Sequence, residues 1–420
     1  SHAGITLYDK RNQVSFVSQG IISYLAGQKS VLNQSSYSSV EELKAAGLNM
    51  QMETVVEEID TKNKRLFYRR VNSKKTKLAL YDKLIFATGS YPAMTSVPFD
   101  KKSKLYFLKS MDDAIKTDEF LKTAKNIAVI GGGMTGVEVA RIAQERGIQT
   151  TLIHRNKNLL NDYLDEPASH LLESWMNAEG MRLLLNTEVT EIGSDEENTI
   201  IQTANGQKIP VDGVIFTIGF RPNSYLLNQQ VELGDSGAVI VDEYMQTTCP
   251  DVFAVGDVST TYVNLLEKSY YLPHASDAVR DGEIAAINLL APHQKINSSQ
   301  GTYHVPMNNL VMAMTGITIR QAVDAGYDAD AVHLLNEHLD GYSPSNIWMI
   351  YERRTHQILG LQCIGKTSDM AEYVNIFSLA IQQELKIEDI EFTDFYFEHG
   401  YKDPRGLNRI LARLVRENER

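Results

Sequence analysis

The sequence is short of cysteine: among 420 residues only Cys249 and Cys363 occur, and they are far apart. Two cysteines at this separation cannot form a CxxC redox motif, and their number excludes a zinc site built on cysteine ligands. We expect both thiols to be buried as small hydrophobic side chains, and the sequence predicts no metal site.

The sequence also lacks a long hydrophobic run and an excess of positive charge. No apolar run approaches the roughly 18 residues of a membrane span, and nothing at the start resembles the hydrophobic region of a secretory signal. Acidic residues (53) outnumber basic ones (41), and no cluster of Lys and Arg with interleaved aromatic residues occurs to bind phosphates. These absences predict a cytoplasmic protein that binds neither membranes nor nucleic acid.

A chain of this length exceeds the size at which one hydrophobic core stops growing, so two or three domains are expected. Short β-rich runs alternate with helical segments, such as 135–147 and 276–290, in the pattern of an α/β protein. After about residue 299 the pattern changes to antiparallel strands, as in 345–365, and then to two helical stretches, which predicts a further domain. Near-continuous apolar runs, most of them ending at or beside glycine, predict buried parallel strands with ligand sites at their carboxyl ends: 83–89, 126–133, 150–155, 213–219 and 251–257.

The sharpest local motif is NIAVIGGGMTGVEVARIAQERGIQTTLIHR, in which a strand runs into Gly131, Gly133 and Gly136 with GxGxxG spacing. The first glycine makes the tight turn, the second lets the backbone approach a pyrophosphate, and the third lets the helix pack on the strand. A bare GxGxxG can be a chance glycine turn, but here the strand, helix and second strand are all present. The motif therefore predicts a dinucleotide site with phosphate at the helix amino end.

The end of the second strand indicates which nucleotide binds. An acidic residue there would accept hydrogen bonds from the ribose 2'-hydroxyl of NAD, but this sequence has His154 and Arg155, followed by Asn156 and Lys157. A basic pair suits a 2'-phosphate. We therefore expect NADPH, with NADH possible; the alternative is a solvated strand end without a ligand role.

Polar residues follow two other strands, in YDKLIFATGSYP and TTCPDVFAVGDVS. Thr88 and Gly89 end the first strand in a turn that exposes backbone groups, and Asp257 follows the second, where it can bond a sugar or ribityl hydroxyl. Each alone is typical of an ordinary strand end. Together with the nucleotide motif that lies between them in the sequence, they indicate a more specific role than that of an ordinary strand end.

A series of motifs extends this pattern over nearly the whole chain: SHAG (1–4), ITLYDKRNQVSF, YDKLIFATGS, the glycine motif with Glu138, FTIGFRPN (216–223), DEYMQTTCPDVFAVGD and DFYFEHGYKDP (394–404). Their order resembles the pyridine nucleotide-disulfide oxidoreductases, particularly the branch of NADH oxidases, NADH peroxidases and coenzyme A-disulfide reductases. The resemblance implies an α/β fold with two Rossmann-like nucleotide-binding domains, for FAD and NAD(P)H, and a C-terminal α+β dimerisation domain. The implied ranges are 1–105 and 233–298 for FAD, 106–232 for NAD(P)H and 299–420 for dimerisation.

The resemblance also implies roles for single residues. Asp9 would hold the adenosine ribose of FAD, Thr88 and Gly89 would line its phosphate region, and Asp257 would bind its ribityl chain. Backbone at 272–276 would face the flavin pyrimidine ring, whereas Glu138 and Gly219 would lie at the nicotinamide. The other expected cofactor-binding residues are Gly4, Lys10, Ser18, Val56, Gly131, Gly133, Thr135, Gly136, His154, Arg155, Gly256, His274, Ala275 and Ser276.

Tyr401, in YKDP, would reach from one subunit toward its neighbour's flavin, so the resemblance implies a homodimer. His2 matches the histidine beside the redox centre of the oxidase and peroxidase relatives and is a candidate acid-base or orienting group. With Gln19, Glu138 and Tyr401, it completes the expected catalytic set.

The chain departs from the family pattern in three places. Gln19 in SFVSQGII stands where the relatives have their redox cysteine, and an amide forms neither a thiolate nor a disulfide. Met134 stands where relatives commonly have an aromatic side chain that covers the flavin, and it either gates the ring less well or simply fills space. SHAG leads directly into ITLYDK although a parallel crossover needs a dozen or more residues. We therefore expect that the first strand and helix were omitted from this sequence; the alternative is a natural deletion, which would damage FAD binding.

These observations predict a homodimeric FAD enzyme that takes a hydride from NAD(P)H. Because Gln19 stores no electrons, they would pass from the flavin directly to oxygen, giving hydrogen peroxide, or to another small acceptor. One alternative is a coenzyme A-disulfide or peroxide reductase that uses an external thiol. Another is a non-catalytic redox or nucleotide sensor.

Overall fold

The structure is a computed structural model and describes residues 4–18, 20–28, 36–93, 97–307, 309–337, 344–366, 370–395 and 402–420. In these ranges the strands are β1 (Thr6–Tyr8), β2 (Asn49–Gln51), β3 (Thr54–Asp60), β4 (Arg65–Arg70), β5 (Lys77–Leu80), β6 (Leu84–Phe86), β7 (Ser90–Pro92), β8 (Leu105–Tyr106), β9 (Asn126–Ile130), β10 (Gln149–Ile153), β11 (Arg182–Leu184), β12 (Val189–Ser194), β13 (Thr199–Thr203), β14 (Lys208–Val211), β15 (Gly213–Phe216), β16 (Phe220–Pro222), β17 (Val252–Ala254), β18 (Thr261–Val263), β19 (Lys268–Tyr270), β20 (Tyr303–Met307), β21 (Leu310–Gly316), β22 (Ala329–Asn336), β23 (Ser345–Glu352) and β24 (Ile358–Gly365).

The α-helices in the same ranges are α1 (Gly20–Leu25), α2 (Val40–Ala45), α3 (Met111–Leu121), α4 (Met134–Glu145), α5 (Glu166–Ala178), α6 (Ala275–Asn288), α7 (Ile319–Asp324), α8 (Met370–Gln382), α9 (Ile387–Glu391) and α10 (Leu407–Asn418). None of these helices is long and apolar enough to cross a membrane.

The GxGxxG motif lies at the carboxyl edge of a five-stranded parallel sheet of order β11-β10-β9-β15-β8. Its central strand β9 is buried from Ile127 to Ile130, as expected for a parallel strand covered on both faces. Three of the predicted parallel strands, in 126–133, 150–155 and 213–219, are therefore confirmed as neighbours in one sheet. Helix α4 begins at Met134, one residue before the predicted helical segment.

The other two predicted parallel strands form a separate pair. Strand β6 pairs with β17 in parallel, so the predicted pairing direction is correct. Burial was predicted wrongly for β6, because the side chain of Ile85 is 40% exposed. Among the described strands only β17 pairs with β6, and a two-stranded ribbon covers fewer side chains than the five-stranded sheet does.

The C-terminal part contains an antiparallel sheet of order β20-β21-β24-β23-β22, which confirms the change of pattern after residue 299. Every residue of β24 is buried, and helix α8 packs on this strand and on β21. The two predicted helical stretches correspond to α8 and α10, and the structure adds the five-residue helix α9 between them.

Strand β9 passes into α4 through a turn that leaves no space for side chains at two glycines. Gly131 has φ +118°, and a Cβ there would collide with the backbone of Thr217. Gly136 packs directly on the carbonyl oxygen of Gly131. The structure thus confirms the predicted tight turn and the predicted close contact of helix and strand. Gly133 differs, because a Cβ there would enter open space.

This difference between glycines gives a matched pair of variants. We expect Gly136→Ala to destabilise the protein by about 3 kcal/mol, because the helix must move away from the strand. Gly133→Ala should cost within about 1 kcal/mol of stability, yet it should weaken nucleotide binding because its methyl group enters the expected pyrophosphate space. Urea unfolding and titration with NADP+ measure the two effects. A Gly136→Ala variant as stable as the wild type would contradict the close contact.

A second prediction concerns His356, in the turn between β23 and β24. Its ring contacts the carboxylates of Glu388 in α9 and Glu419 after α10, the latter at 2.9 Å. Partial burial by itself would lower the pKa of His356, but hydrogen bonds to the two carboxylates outweigh burial and raise it. A raised folded-state pKa stabilises the protein fully below the unfolded value and is lost as the pH rises through the folded value.

We therefore expect His356→Asn to lower the free energy of unfolding by about 1 kcal/mol near pH 6 and by much less near pH 9. Asparagine suits the backbone here because φ is +61°. His333→Asn is the control, since His333 stacks on Trp348 and bonds Asn346 rather than a carboxylate. Urea unfolding at both pH values is the measurement, and an equal effect of His356→Asn at both would contradict the charged interaction.

Candidate active site

The amino end of α4 forms an open cradle at the carboxyl edge of the parallel sheet. Gly133 is the N-cap residue, and no side chain caps the first turn of the helix. The free N–H groups and the helix dipole favour a phosphate at this place. The open space at Gly133 and the half-buried Thr135 next to it therefore fit the pyrophosphate of a dinucleotide.

His154 supports the glycine turn instead of facing a phosphate. The backbone N–H of Gly132 donates to Nδ1 of His154 at 3.0 Å, and Nε2 lies 3.1 Å from Oδ1 of Asn161. Because Nδ1 accepts a hydrogen bond, the proton resides on Nε2 and the ring is neutral. Burial lowers the pKa of His154, which favours the same state. The predicted role of His154 in a basic pair is therefore wrong, since both ring nitrogens are used within the chain.

Arg155 is exposed directly after His154 and makes no hydrogen bond or ion pair with the residues that the structure describes. Lys157 lies 2.5 Å from the carboxylate of Glu166, so its charge is partly balanced. Of the basic residues at this strand end, Arg155 is thus the one available to a ligand.

Glu138 lies on the buried side of α4 and is 8% exposed. Burial raises its pKa to about 7, and the nearby charge of Arg141 only partly opposes this shift. Arg141 itself pairs with Glu145 at 2.6 Å. The carboxyl group of Glu138 forms no hydrogen bond within the described ranges, so it is able to donate or accept one near neutral pH.

Met134 packs against the hydrophobic core that includes β9 and α4. This packing favours the space-filling interpretation of the methionine over a gating role.

A second polar cluster surrounds Asp257, which follows β17. Its Oδ2 accepts hydrogen bonds from Nζ of Lys109 and from Oγ of Ser90, both at 2.7 Å. Lys109 also lies over the ring of Phe220 at 4.5 Å. The sequence did not point to Lys109, because its partner is 148 positions away.

The turn before Asp257 is held by a buried carboxylate that sequence analysis also missed. The N–H of Gly256 donates to Oδ2 of Asp281 in α6 at 3.0 Å. Burial raises the pKa of Asp281 to about 6 despite this hydrogen bond. In the sequence, Asp281 is only an acidic residue within a segment of apolar helical spacing. This pattern does not indicate its contact with Gly256.

The remaining expected FAD residues lie at neighbouring chain ends. Asp9 follows β1 and is paired with Arg11 at 3.1 Å. Thr88 donates to the carbonyl of Asn223 at 2.7 Å, and the N–H of Asn223 donates to the carbonyl of Gly89 at 2.9 Å. These contacts join the strand end at Thr88 to the segment that follows β16.

Other expected residues are placed as follows. Gly4, Lys10 and Gly219 are exposed, the last with φ +97°, and Val56 is half-buried in β3. The backbone carbonyl of Ser18 accepts the N–H of Ile21 at the start of α1. His274 precedes α6, which begins at Ala275, and its Nδ1 lies 2.7 Å from Oγ of Ser276. His2, Gln19 and Tyr401 lie outside the described residues.

The polar ends of these strands fit two nucleotide cofactors. Asp9, Thr88, Gly89, Gly256 and Asp257 would hold FAD, and the α4 cradle with Glu138 and Arg155 would hold a nicotinamide nucleotide. Asp257 illustrates the fit, because a half-buried carboxylate at a strand end retains acceptor positions on Oδ1 for hydroxyl groups.

Comparisons with known proteins agree with this geometry. Residues 1–282 match the model of the pyridine nucleotide-disulphide oxidoreductases, and residues 305–397 match the dimerisation domain of the same proteins. The chain is 32% identical over 421 residues to an NADH oxidase of Enterococcus faecalis, covering 99% of this chain and 94% of that protein.

Two solved structures are similarly close. One is the water-forming NADH oxidase of Lactobacillus brevis bound to NADH, with a TM-score of 0.94, 29% identity and coverage of 99% of this chain and 93% of that chain. The other is an engineered water-forming NADPH oxidase made from that enzyme and bound to NADPH, with a TM-score of 0.95 and the same identity and coverage.

These findings confirm the predicted α/β fold with its nucleotide-binding domains, and FAD with a nicotinamide nucleotide as cofactors. The dimerisation domain supports the predicted homodimer. The chain belongs to the pyridine nucleotide-disulphide oxidoreductase family and is an NAD(P)H-dependent flavin oxidoreductase.

Proposed function

We propose that this protein oxidises NAD(P)H with FAD and passes the electrons to oxygen, or to another small acceptor, without a redox cysteine. The observation that carries the proposal is the position of the two cysteines relative to the strand ends that form the site. The similarity to NADH oxidases supports oxygen as the acceptor.

Both cysteines are remote from the polar strand ends. Cys363 is fully buried in β24 of the dimerisation sheet, and burial raises the pKa of its thiol, so no thiolate is available there. Cys249 lies before the amino end of β17, whereas Gly256 and Asp257 follow its carboxyl end. Cys249 is half-buried rather than buried, which corrects the prediction for this residue. At the family's cysteine position the sequence has Gln19.

FAD, when bound, supplies the acceptor for the hydride of NAD(P)H and the donor of electrons to oxygen. The residues of the chain bind and orient the reactants. The N–H groups at the start of α4 would hold the pyrophosphate, and Asp257, fixed by Lys109 and Ser90, would orient a hydroxylated chain. Glu138, whose raised pKa allows it to hold or release a proton near neutral pH, would lie at the nicotinamide.

Without a thiol to hold a second electron pair, we expect a two-electron reduction of oxygen. NAD(P)H loses a hydride, a proton comes from solvent, and oxygen becomes hydrogen peroxide. The alternatives are the coenzyme A-disulfide or peroxide reductase with an external thiol and the non-catalytic sensor. The predicted cytoplasmic location and domain boundaries stay predictions.

Oxygen consumption tests the proposal directly. We expect one molecule of oxygen to be consumed, and one of hydrogen peroxide to appear, for each NADPH oxidised by the holoenzyme. In an anaerobic titration, one NADPH should reduce each flavin fully, because no further redox group takes up electrons. The double variant Cys249→Ser/Cys363→Ala should retain this activity and is the matched control for thiol chemistry.

Other results would identify another function. Half as much oxygen per NADPH without peroxide would indicate water formation. Reduction of the flavin in a single turnover without reoxidation by oxygen would support the sensor. A many-fold acceleration by coenzyme A disulfide or by peroxide would contradict the inference from Gln19.

We further propose that NADPH is preferred over NADH, because Arg155, at the end of β10, forms no ion pair or hydrogen bond with the described residues. Arg155→Gln should raise the KM for NADPH by about tenfold to a hundredfold, the effect of losing one charge-assisted phosphate contact. The KM for NADH should change by less than about twofold. Lys157→Gln removes the same charge two residues away and should have a much smaller effect, since Lys157 is paired with Glu166. Equal losses for both nucleotides would contradict the assignment.

A further inference from the structure

The segment 159–165, between β10 and α5, contacts the glycine turn at one end. The N–H of Leu160 donates to the carbonyl of Gly132 at 2.9 Å. The side chain of Asn161 bonds His154, whose ring accepts the N–H of the same glycine. The conformation of the turn that precedes α4 therefore depends on where this segment lies.

The other end of the segment is bonded to the dimerisation domain. Asp165 is the N-cap residue of α5, yet its carboxylate does not cap its own helix. Both carboxylate oxygens accept the N–H of Ile319 in α7, at 3.1 and 3.2 Å. An N-cap aspartate ordinarily satisfies the first N–H groups of its own helix, so this one is used for a contact between domains instead.

Gln362 of β24 completes the contact. Its Nε2 donates to Oδ2 of Asp165 at 2.8 Å, and its Oε1 accepts the backbone N–H of Asp165 at 2.9 Å. Gln362 is 2% exposed, so water cannot replace either hydrogen bond easily. Arg320 adds a contact to Asp162 at 3.1 Å, but both side chains are largely exposed and this pair contributes little.

We propose that Asp165 and Gln362 are positioning residues for the nicotinamide nucleotide. By bonding segment 159–165 to β24, they keep the glycine turn in the conformation that receives the pyrophosphate, although neither touches the turn. The dimerisation domain thus sets the affinity of a site that lies in another sheet. This inference rests on the proposed function, because it requires that the turn binds a nucleotide.

The hydrogen bonds between Asp165 and Gln362 can be tested by exchanging the carboxylate and amide groups of the two side chains. In Asp165→Asn, the new NH2 group opposes a donor in either amide orientation: the NH2 group of Gln362 in one and the N–H of Ile319 in the other. In Gln362→Glu, two carboxylates face each other. The double variant Asp165→Asn/Gln362→Glu restores every donor and acceptor and keeps the net charge of the wild type. Glu179→Gln is the matched control, since it removes the same charge from an exposed residue at the carboxyl end of the same helix.

The measurement is titration of the holoenzyme with NADP+, which binds without reducing the flavin, together with the FAD content, the melting temperature and steady-state kinetics. We expect each single variant to raise the Kd for NADP+ and the KM for NADPH by about tenfold. The kcat and the FAD content should stay within about twofold of the wild type. The double variant should recover wild-type affinity, and Glu179→Gln should not differ from the wild type.

Gln362→Met provides a milder variant if the single exchanges fail to fold, because it removes both hydrogen bonds without adding a charge and should still raise the Kd several-fold. Variants that lower the melting temperature but bind NADP+ as tightly as the wild type would overturn the inference alone and show a purely structural role. Failure of the double variant to recover affinity would overturn it as well. If the wild type bound neither NADP+ nor NAD+, the proposed function would fail together with it.

Discussion

The close approach of helix α4 to the end of strand β9 is the constraint on which the site depends. It exists because Gly131 and Gly136 leave no Cβ between the helix and the strand. A helix that starts so near the sheet edge directs its free N–H groups into the space above the strands. The adjoining strand ends place further residues at the same edge of the sheet, among them Arg155 after β10 and Gly219 after β15.

Burial sets the protonation of several groups around this site. It raises the pKa of Glu138 to about 7 and that of Asp281 to about 6, whereas it lowers the pKa of His154. In each case the neutral form is favoured because the charged form has lost water. The consequences differ: His154 remains an acceptor for the glycine turn, while Glu138, without a partner in the described residues, is able to exchange a proton with a ligand.

The small number of cysteines in the chain limits the routes by which electrons can leave the flavin. A buried thiol in the dimerisation sheet and a half-buried thiol at the far end of β17 offer no reactive sulfur at the strand ends. Under the proposed function, electrons therefore pass from the flavin directly to a small acceptor. The dimerisation domain also contacts the segment before α5, through the hydrogen bonds between Asp165 and Gln362.

The sequence by itself determined the glycine spacing, the parallel strands at 126–133, 150–155 and 213–219, the antiparallel C-terminal sheet and the family. These features follow from local periodicity and from motifs whose residues are close together in the chain. Only the tertiary structure decided that His154 supports the glycine turn, that Lys109 fixes Asp257, and that Asp165 bonds Gln362 instead of its own helix. The last two pairs are separated by 148 and 197 positions. No local pattern encodes which distant side chain fills a given hydrogen-bonding position, because that depends on how the sheets and helices pack together.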